Sequence, residues 1–380
     1  MECTQINWTG FPANIKLSRF STVGGASESY VSVELYETSV SAEQQFYLLE
    51  EAVQRLFQLP ELKDFVLVWK RFFVSDAVNQ AAYIKPSANE AISVVQQQPL
   101  NQTKVAALLY FVEGAQLQVN VDGSVLMHRA NYVHLFHTQL HERVGNVAHQ
   151  THAVFYRYNE SLSLKECTLR DHCIRTWIFV QNVDIQYAGM VTSRREYFEQ
   201  EGLTKNTHYI ASTGIEGRYI YPEVLMLMDA YAVAHIKQDQ IWYLQAPTHL
   251  NPTHEYGVTF ERGTVVDYGD RRHVFISGTA SINNEGQIEH PLDVEKQTGR
   301  VFENIQALLK KGDTTMEDVS HMIVYLRDMS DNEVVRKYIQ EHYPSIPCEM
   351  VWAPICRPGW LVEVECMAIK EIRNEQFAAF

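Results

Sequence analysis

The chain is poor in the features that announce most specialised classes. Its six cysteines (Cys3, Cys167, Cys173, Cys348, Cys356 and Cys366) form no CxxC pair, so neither a zinc ribbon nor a dithiol redox motif is signalled. An even cysteine count in a chain of 380 residues is weak ground for a disulfide framework. No apolar run approaches the roughly 20 residues of a spanning helix, which argues against a membrane protein. The opening MECTQINWTGFPANIKLSRF lacks the apolar core of a signal peptide, and a cytoplasmic location is the expectation. Basic residues are outnumbered, 32 Lys and Arg against 46 Asp and Glu, for a net charge of −14. A sequence-independent nucleic-acid binder needs a basic face to displace counterions, so no nucleic-acid partner is expected. Low-complexity sequence is absent apart from Gln96–Gln98, and no Pro/Gly/Ser linker divides the chain.

What is present is an ordinary globular composition, 46% hydrophobic and 21% charged, in a length that predicts two to three folding units. The informative feature is repetition. Three β-branched and aromatic runs read as strands: Val66–Asp76, Cys173–Asp184 and His321–Asp331. Each ends near an Asp and precedes a polar, helix-compatible stretch. A second apolar run closes each unit: Lys104–Gly114, Glu223–Val233 and Trp360–Lys370. Upstream lie amphipathic helices. Phe46, Leu49, Val53, Leu56 and Phe57 share one face of Glu43–Leu59. Val294, Val301, Ile305, Leu308 and Leu309 do so after an N-cap signal at Asp293. In the middle copy the strand Tyr132–Leu140 and the helix Asn146–Leu162 take these roles, and His273–Ala280 reads as a hairpin strand before a turn at Asn284–Gly286. The expectation is three copies of one α+β unit with helices on one face of a sheet, spanning 1–115, 116–245 and 246–380, the last boundary following QAPTHLNP.

The third unit, through FISGTASINNEGQI, the helix from Asp293, TTMEDVSHMIVYLRD and LVEVECMAI, resembles the RidA/YjgF family, small α+β subunits of chorismate mutase-like fold that assemble as trimers with sites at subunit interfaces. Members that hydrolyse imines carry an arginine shortly after the proline matching Pro347; here Cys348 and Glu349 follow it. The middle unit narrows the resemblance. Arg175-Thr176-Trp177, Tyr187, Arg194 and Phe198, and the run 211–215 (ASTGI) are similar to the chorismatases. So are Tyr256-Gly257, Phe260 and Arg262, the run 278–281 (GTAS), and 355–357 (ICR) leading into LVEVE. Val191 and Ser193 depart from that pattern, and the segment around Tyr256 is shorter. The resemblance implies three fused RidA-like units in a pseudo-trimeric arrangement, one site where the second and third meet, and cleavage of the enolpyruvyl ether of chorismate, a dianion, without cofactor.

That cleavage needs an acid kept protonated near neutral pH and cationic donors for two carboxylates. Glu363, on an apolar strand, fits the acid, and the resemblance points to the same residue; a solvated strand carboxylate beside Glu365 is the ordinary alternative. Arg175, Arg194, Arg262 and Arg357 are the candidates for the carboxylates, since guanidinium forks bind them bidentately, and surface ion pairs are the alternative. Tyr187 and Tyr256 can hydrogen-bond a carboxylate or place a water; Ala280 and Cys356 can shape the pocket around the ring. Nothing in the sequence marks Cys356 as a nucleophile. His134, His137, His141, His149 and His152 cluster, but without HExxH and with His134 and His137 on opposite faces of a strand, so they read as structural and no metal is expected. Two other functions stay open: an imine or enamine deaminase, and a small-acid-binding protein with a vestigial site. The chain is expected to act as a monomer, or a higher assembly of it.

Overall fold

The structure, a computed structural model, describes residues 1–85 and 89–380, apart from the side chain of Tyr256. It is a mixed α+β protein with three sheets. The first sheet holds β1 (Glu2–Ile6), β2 (Ala13–Phe20), β3 (Glu28–Leu35), β4 (Phe65–Val74) and β5 (Ala91–Gln96). After the two-residue β6 (Gln98–Pro99) comes its last member, β7 (Val105–Glu113). The second sheet holds β8 (Gln116–Val119), β9 (Val125–Arg129), β10 (Tyr132–His141), β11 (Cys173–Val180), β12 (Ala211–Glu216) and β13 (Met226–Ala234). The third holds β14 (Ile241–Tyr243), β15 (Gly263–Asp267), β16 (Arg271–Ala280), β17 (Val319–Leu326), β18 (Cys348–Trp352) and β19 (Val362–Glu371). It also takes in β6, which pairs with β18, so the chain of the first sheet lends a strand to the third.

One four-strand pattern recurs. In β3-β7-β4-β5, β10-β13-β11-β12 and β16-β19-β17-β18 the first two pairings are antiparallel and the third is parallel. A parallel pair needs a crossover, normally a helix. Here the crossovers carry α5 (Val183–Gln200) in the second unit and α7 (Asn332–His342) in the third. The first unit differs. Among the described residues its crossover contains α2 (Ala77–Gln80) and a 3-10 turn to Tyr83. Residues 75–90 make a shorter connection than 181–210.

The long helices before β4, β11 and β17 are α1 (Ala42–Leu56), α3 (Val147–Ser163) and α6 (Val294–Lys311), with a single turn, α4 (Leu169–His172), ahead of β11. Each long helix starts at a side chain that accepts a backbone N–H: Ser41 from Gln44, Asn146 from His149, Asp293 from Lys296. On α6, Val301, Ile305, Leu308 and Leu309 are sealed against the third sheet, each stabilising by roughly 1.5–3 kcal/mol. Phe57, expected on the apolar face of α1, is instead its C-cap and stays 41% exposed. The third sheet shares one apolar core with parts of the other two, so the sheets are packed against each other rather than strung apart. Among the described residues no helix is long and apolar enough to cross a membrane.

Candidate active site

Glu363 lies near the start of β19, with Ala280 of β16 as its cross-strand neighbour on one side and Tyr325 of β17 on the other. At the same register Leu227 of β13 faces Phe179, and Ala106 of β7 faces Phe73. Three equivalent positions therefore hold one acid. The strand beside it is irregular: β16 shifts register between Ile276 and Thr279, which brings the backbone of Gly278 against the carboxyl. A Cβ on residue 278 would fall 2.1 Å from Glu363 Oε1, so any side chain there would push the carboxyl aside.

Hydrogen bonds join β12 of the second sheet to this bulge. Gly278 N–H donates to Thr213 Oγ1 (2.9 Å), Ser212 N–H to Ser277 Oγ (3.0 Å), and Ser277 Oγ to the Glu261 carbonyl (2.6 Å). Between these elements lies a pocket of about 30 Å³. Glu363, Tyr187, Arg194, Arg262, Ala280, Cys356 and Arg357 all line it. Residues scattered over more than 170 positions of sequence meet there because α5 covers β12 on one side and the 356–360 turn returns beside β19.

Three arginines thus line one pocket with one buried carboxyl. Arg194 projects from α5 and packs on Phe198 (5.9 Å to the ring centre); Arg357 packs on Trp360 (5.1 Å) and Arg262 on Phe260 (5.5 Å). Arg262 also donates to the Asn251 carbonyl at 3.1 Å. It is shared with an adjoining cavity of about 200 Å³, lined by segments 204–209 and 244–254. Tyr187 hydrogen-bonds the Cys356 thiol, and burial pushes that thiol up to about 12, so it is no thiolate at neutral pH.

Glu363 is 5% exposed. Desolvation, then the negative charge of Glu365, pushes its pKa up to about 8 against the opposing pull of Arg175 and Arg262. At pH 7 it is mostly a neutral acid with a proton to give.

Arg175 does not line this pocket. Its Nη2 donates to Glu365 Oε2 (2.9 Å) and Thr213 Oγ1 (2.5 Å). Trp177 Nε1 donates to the other Glu365 oxygen at 2.7 Å. Glu365 is therefore a buried, paired carboxylate rather than a solvated one. Sequence reasoning missed this pair, although the alternation Arg175-x-Trp177 on one strand and Glu363-x-Glu365 on another held the signal. It also assigned no role to Gly278, Thr213, Phe260 or Trp360. Tyr256 falls on a 3-10 turn, and its side chain lies outside the described residues.

The histidines stand apart from the site. His134 Nδ1 meets Tyr231 Oη (2.7 Å) on one face of β10, and His137 Nε2 meets Ser161 Oγ of α3 (2.8 Å) on the other. Burial lowers them to about 3 and about 4, so both are neutral.

Comparison with known proteins places the chain among relatives. Residues 264–370 match the Endoribonuclease L-PSP family. The chain is 36% identical over 104 residues to a RutC family protein of Pyrococcus abyssi, covering 26% of this chain and 79% of that protein. It is 28% identical over 99 residues to the 3-aminoacrylate deaminase RutC of Acinetobacter baylyi, covering 25% and 77%. Among solved structures, a chorismatase has the same fold with a TM-score of 0.64 at 18% identity, over 80% of this chain and 92% of that one.

Proposed function

The chain belongs to the RutC family, and from that premise we propose that it is an enzyme of the chorismatase type, cleaving the enolpyruvyl ether of chorismate with Glu363 as general acid. One observation carries the reading: a carboxyl that keeps its proton to about pH 8 shares one pocket with Arg194, Arg262 and Arg357. Anion-binding forks set around a neutral acid suit a dianion that must be protonated on carbon. The fold shared with a chorismatase supports it.

The arginines hold the two carboxylates and set the terminal methylene against Glu363. Glu363 gives its proton to that carbon, leaving an oxocarbenium-like cation at the ether carbon. Water adds to the cation and gives up a proton, which restores Glu363; the bond between the former ether carbon and the ring oxygen then breaks, the new hydroxyl's proton passing to that oxygen as pyruvate leaves. A ring hydroxyl that adds instead also gives up its proton and forms a cyclic ketal; this loses a ring C–H proton as one ring C–O bond breaks, and the aromatic hemiketal releases pyruvate while the phenol oxygen takes that proton. Capture by water yields a dihydroxycyclohexadiene carboxylate, and capture within the ring a hydroxybenzoate. Arg175 acts here through Glu365 on the field at Glu363. Because the pocket is only about 30 Å³, the substrate extends past Arg262 into the adjoining cavity.

We propose further that the units expected at 1–115, 116–245 and 246–380, with β6 and β14 reaching into the third sheet, stand about a pseudo-threefold axis, one chain doing what three subunits do elsewhere, as a monomer or a higher assembly of it. Sedimentation at the mass of one 43.8 kDa chain is expected.

A deaminase acting on imines, as the name of the Acinetobacter relative suggests, is the competing reading. It is weakened by Cys348 and Glu349, which occupy the start of β18 after Pro347. Incubation with chorismate, following pyruvate by a coupled assay and ring products by chromatography, tests the proposal. Pyruvate release supports it. No pyruvate from folded protein, with ammonia released from 3-aminoacrylate, favours deamination.

A further inference from the structure

A second cavity, of about 50 Å³, lies where all three sheets meet, and it shares no lining residue with the Glu363 pocket. The first sheet contributes Tyr30, Trp69 and Tyr110, the second Phe136, Trp177 and Tyr231, and the third Phe275 and His321. Its walls are thus largely aromatic, and the Arg175, Glu365 and Asp229 side chains on them are all paired, Asp229 with an arginine outside the lining. Arg175 pairs with Glu365 at 2.9 Å, and buried Arg71, stacked between Trp69 and Trp177 at 4.9 Å from each, pairs with Asp229 at 2.8 Å. A charged guest would meet like charge as readily as opposite charge and lose its hydration, so the walls favour a neutral one.

Among the described residues His137 Nδ1 and His273 Nδ1 of the lining are buried without a partner, and His321 adds a further ring nitrogen. His321 stacks on Tyr30 at 4.1 Å, and its Nδ1 lies 3.1 Å from Ser320 Oγ. The Ser320 hydroxyl already donates to the Met367 carbonyl at 3.0 Å, so Nδ1 carries the hydrogen and Nε2 is a bare acceptor. Burial and the two arginines keep the ring neutral. Among the described residues none donates to Nε2.

We propose that this axial cavity is a binding site, separate from the Glu363 pocket, for a small, flat, neutral molecule of about five heavy atoms that stacks on its aromatic walls and donates one N–H or O–H to His321 Nε2. At roughly 10–15 Å³ of such space per water, the volume suits a guest of that size and excludes one as large as chorismate. The inference stands whether or not the chain cleaves chorismate.

The test is calorimetric titration of the full chain with pyrazole, a neutral five-atom ring with one N–H, at pH 7.5. Acetate and methylammonium serve as charged counterparts. Saturable binding at one site per chain is expected, with a Kd of about 0.1–10 mM for so small a ligand. Ala230 lines the cavity, and Ala230→Leu should fill it and weaken binding at least tenfold. Should that variant melt early, His321→Phe, which keeps the stack and removes the acceptor, should do the same. Glu363→Gln should bind pyrazole as the wild type does. No saturable binding to folded protein, binding that survives both cavity variants or is lost in Glu363→Gln, or equal affinity for acetate or methylammonium would overturn the proposal.

Discussion

Glu363 and Glu349 are two buried carboxyls of the same sheet, on β19 and β18, 5% and 1% exposed. Desolvation pushes both pKa values up, with a neighbouring carboxylate adding to it: Glu365 for the first, Glu34 for the second. Their surroundings differ. Glu363 opens on a pocket with three arginines. Glu349 faces β3 at the junction with the first sheet, where its Oε1 has no partner among the described residues. A carboxyl pKa raised by burial is therefore common to both, and what separates an acid with work to do is room for a substrate and cations to hold it.

The sharpest break of this pair is substitution of both. Glu363→Gln should lower pyruvate release from chorismate by at least ~10³-fold with the melting temperature unchanged or raised, whereas Glu349→Gln should keep the rate within about threefold. Near-normal turnover in Glu363→Gln removes it from the mechanism. Next in size is Gly278→Ala. Its Cβ would meet Glu363 Oε1, and a carboxyl displaced by about an ångström should cost ~10- to 100-fold in kcat while KM moves less.

The pH dependences follow the raised pKa values. The rate should fall with rising pH through about 8 as Glu363 loses its proton. Stability moves the same way. The folded chain holds protons on Glu363 and Glu349 that the unfolded chain releases above about 4.5, so stability is greatest below that pH and falls as pH rises, until about 8 for Glu363. Denaturant midpoints at pH 5, 7 and 9 should decline for the wild type and decline less for Glu349→Gln. A profile flat in both would remove the buried protonated carboxyls. The smallest effect is expected of Glu365→Gln. On the rate, removing the charge beside Glu363 should move the alkaline limb of the profile down by only ~0.5–1 pH unit, while stability falls by roughly 3–5 kcal/mol because Arg175 is left without its carboxylate.

The recurring unit was legible because local pattern decides it. The apolar runs beginning at Val66, Cys173 and His321 are near-continuous, as strands covered on both faces must be, and the helix faces at Phe46 and Val301 follow the 3.6-residue period. Glu363 was legible too, as an acid among apolar residues on a closing strand. What escaped is set by contacts between distant segments. Arg175 reads as a substrate arginine until Glu365, 190 residues away in sequence, is seen to occupy it. The pairing of β6 with β18 and the short crossover of the first unit likewise depend on neighbours that no local window contains. Gly278 is one of several glycines in the sequence, and only the nearness of Glu363 singles it out.

The central claim is that Glu363 carries a proton at neutral pH. Difference infrared spectroscopy of wild type against Glu363→Gln, titrated from pH 5 to 10, reads that proton directly. The account predicts a protonated carboxyl band that persists at pH 7 and disappears with a midpoint near 8. A band lost by pH 6, with carboxylate in its place, would contradict it.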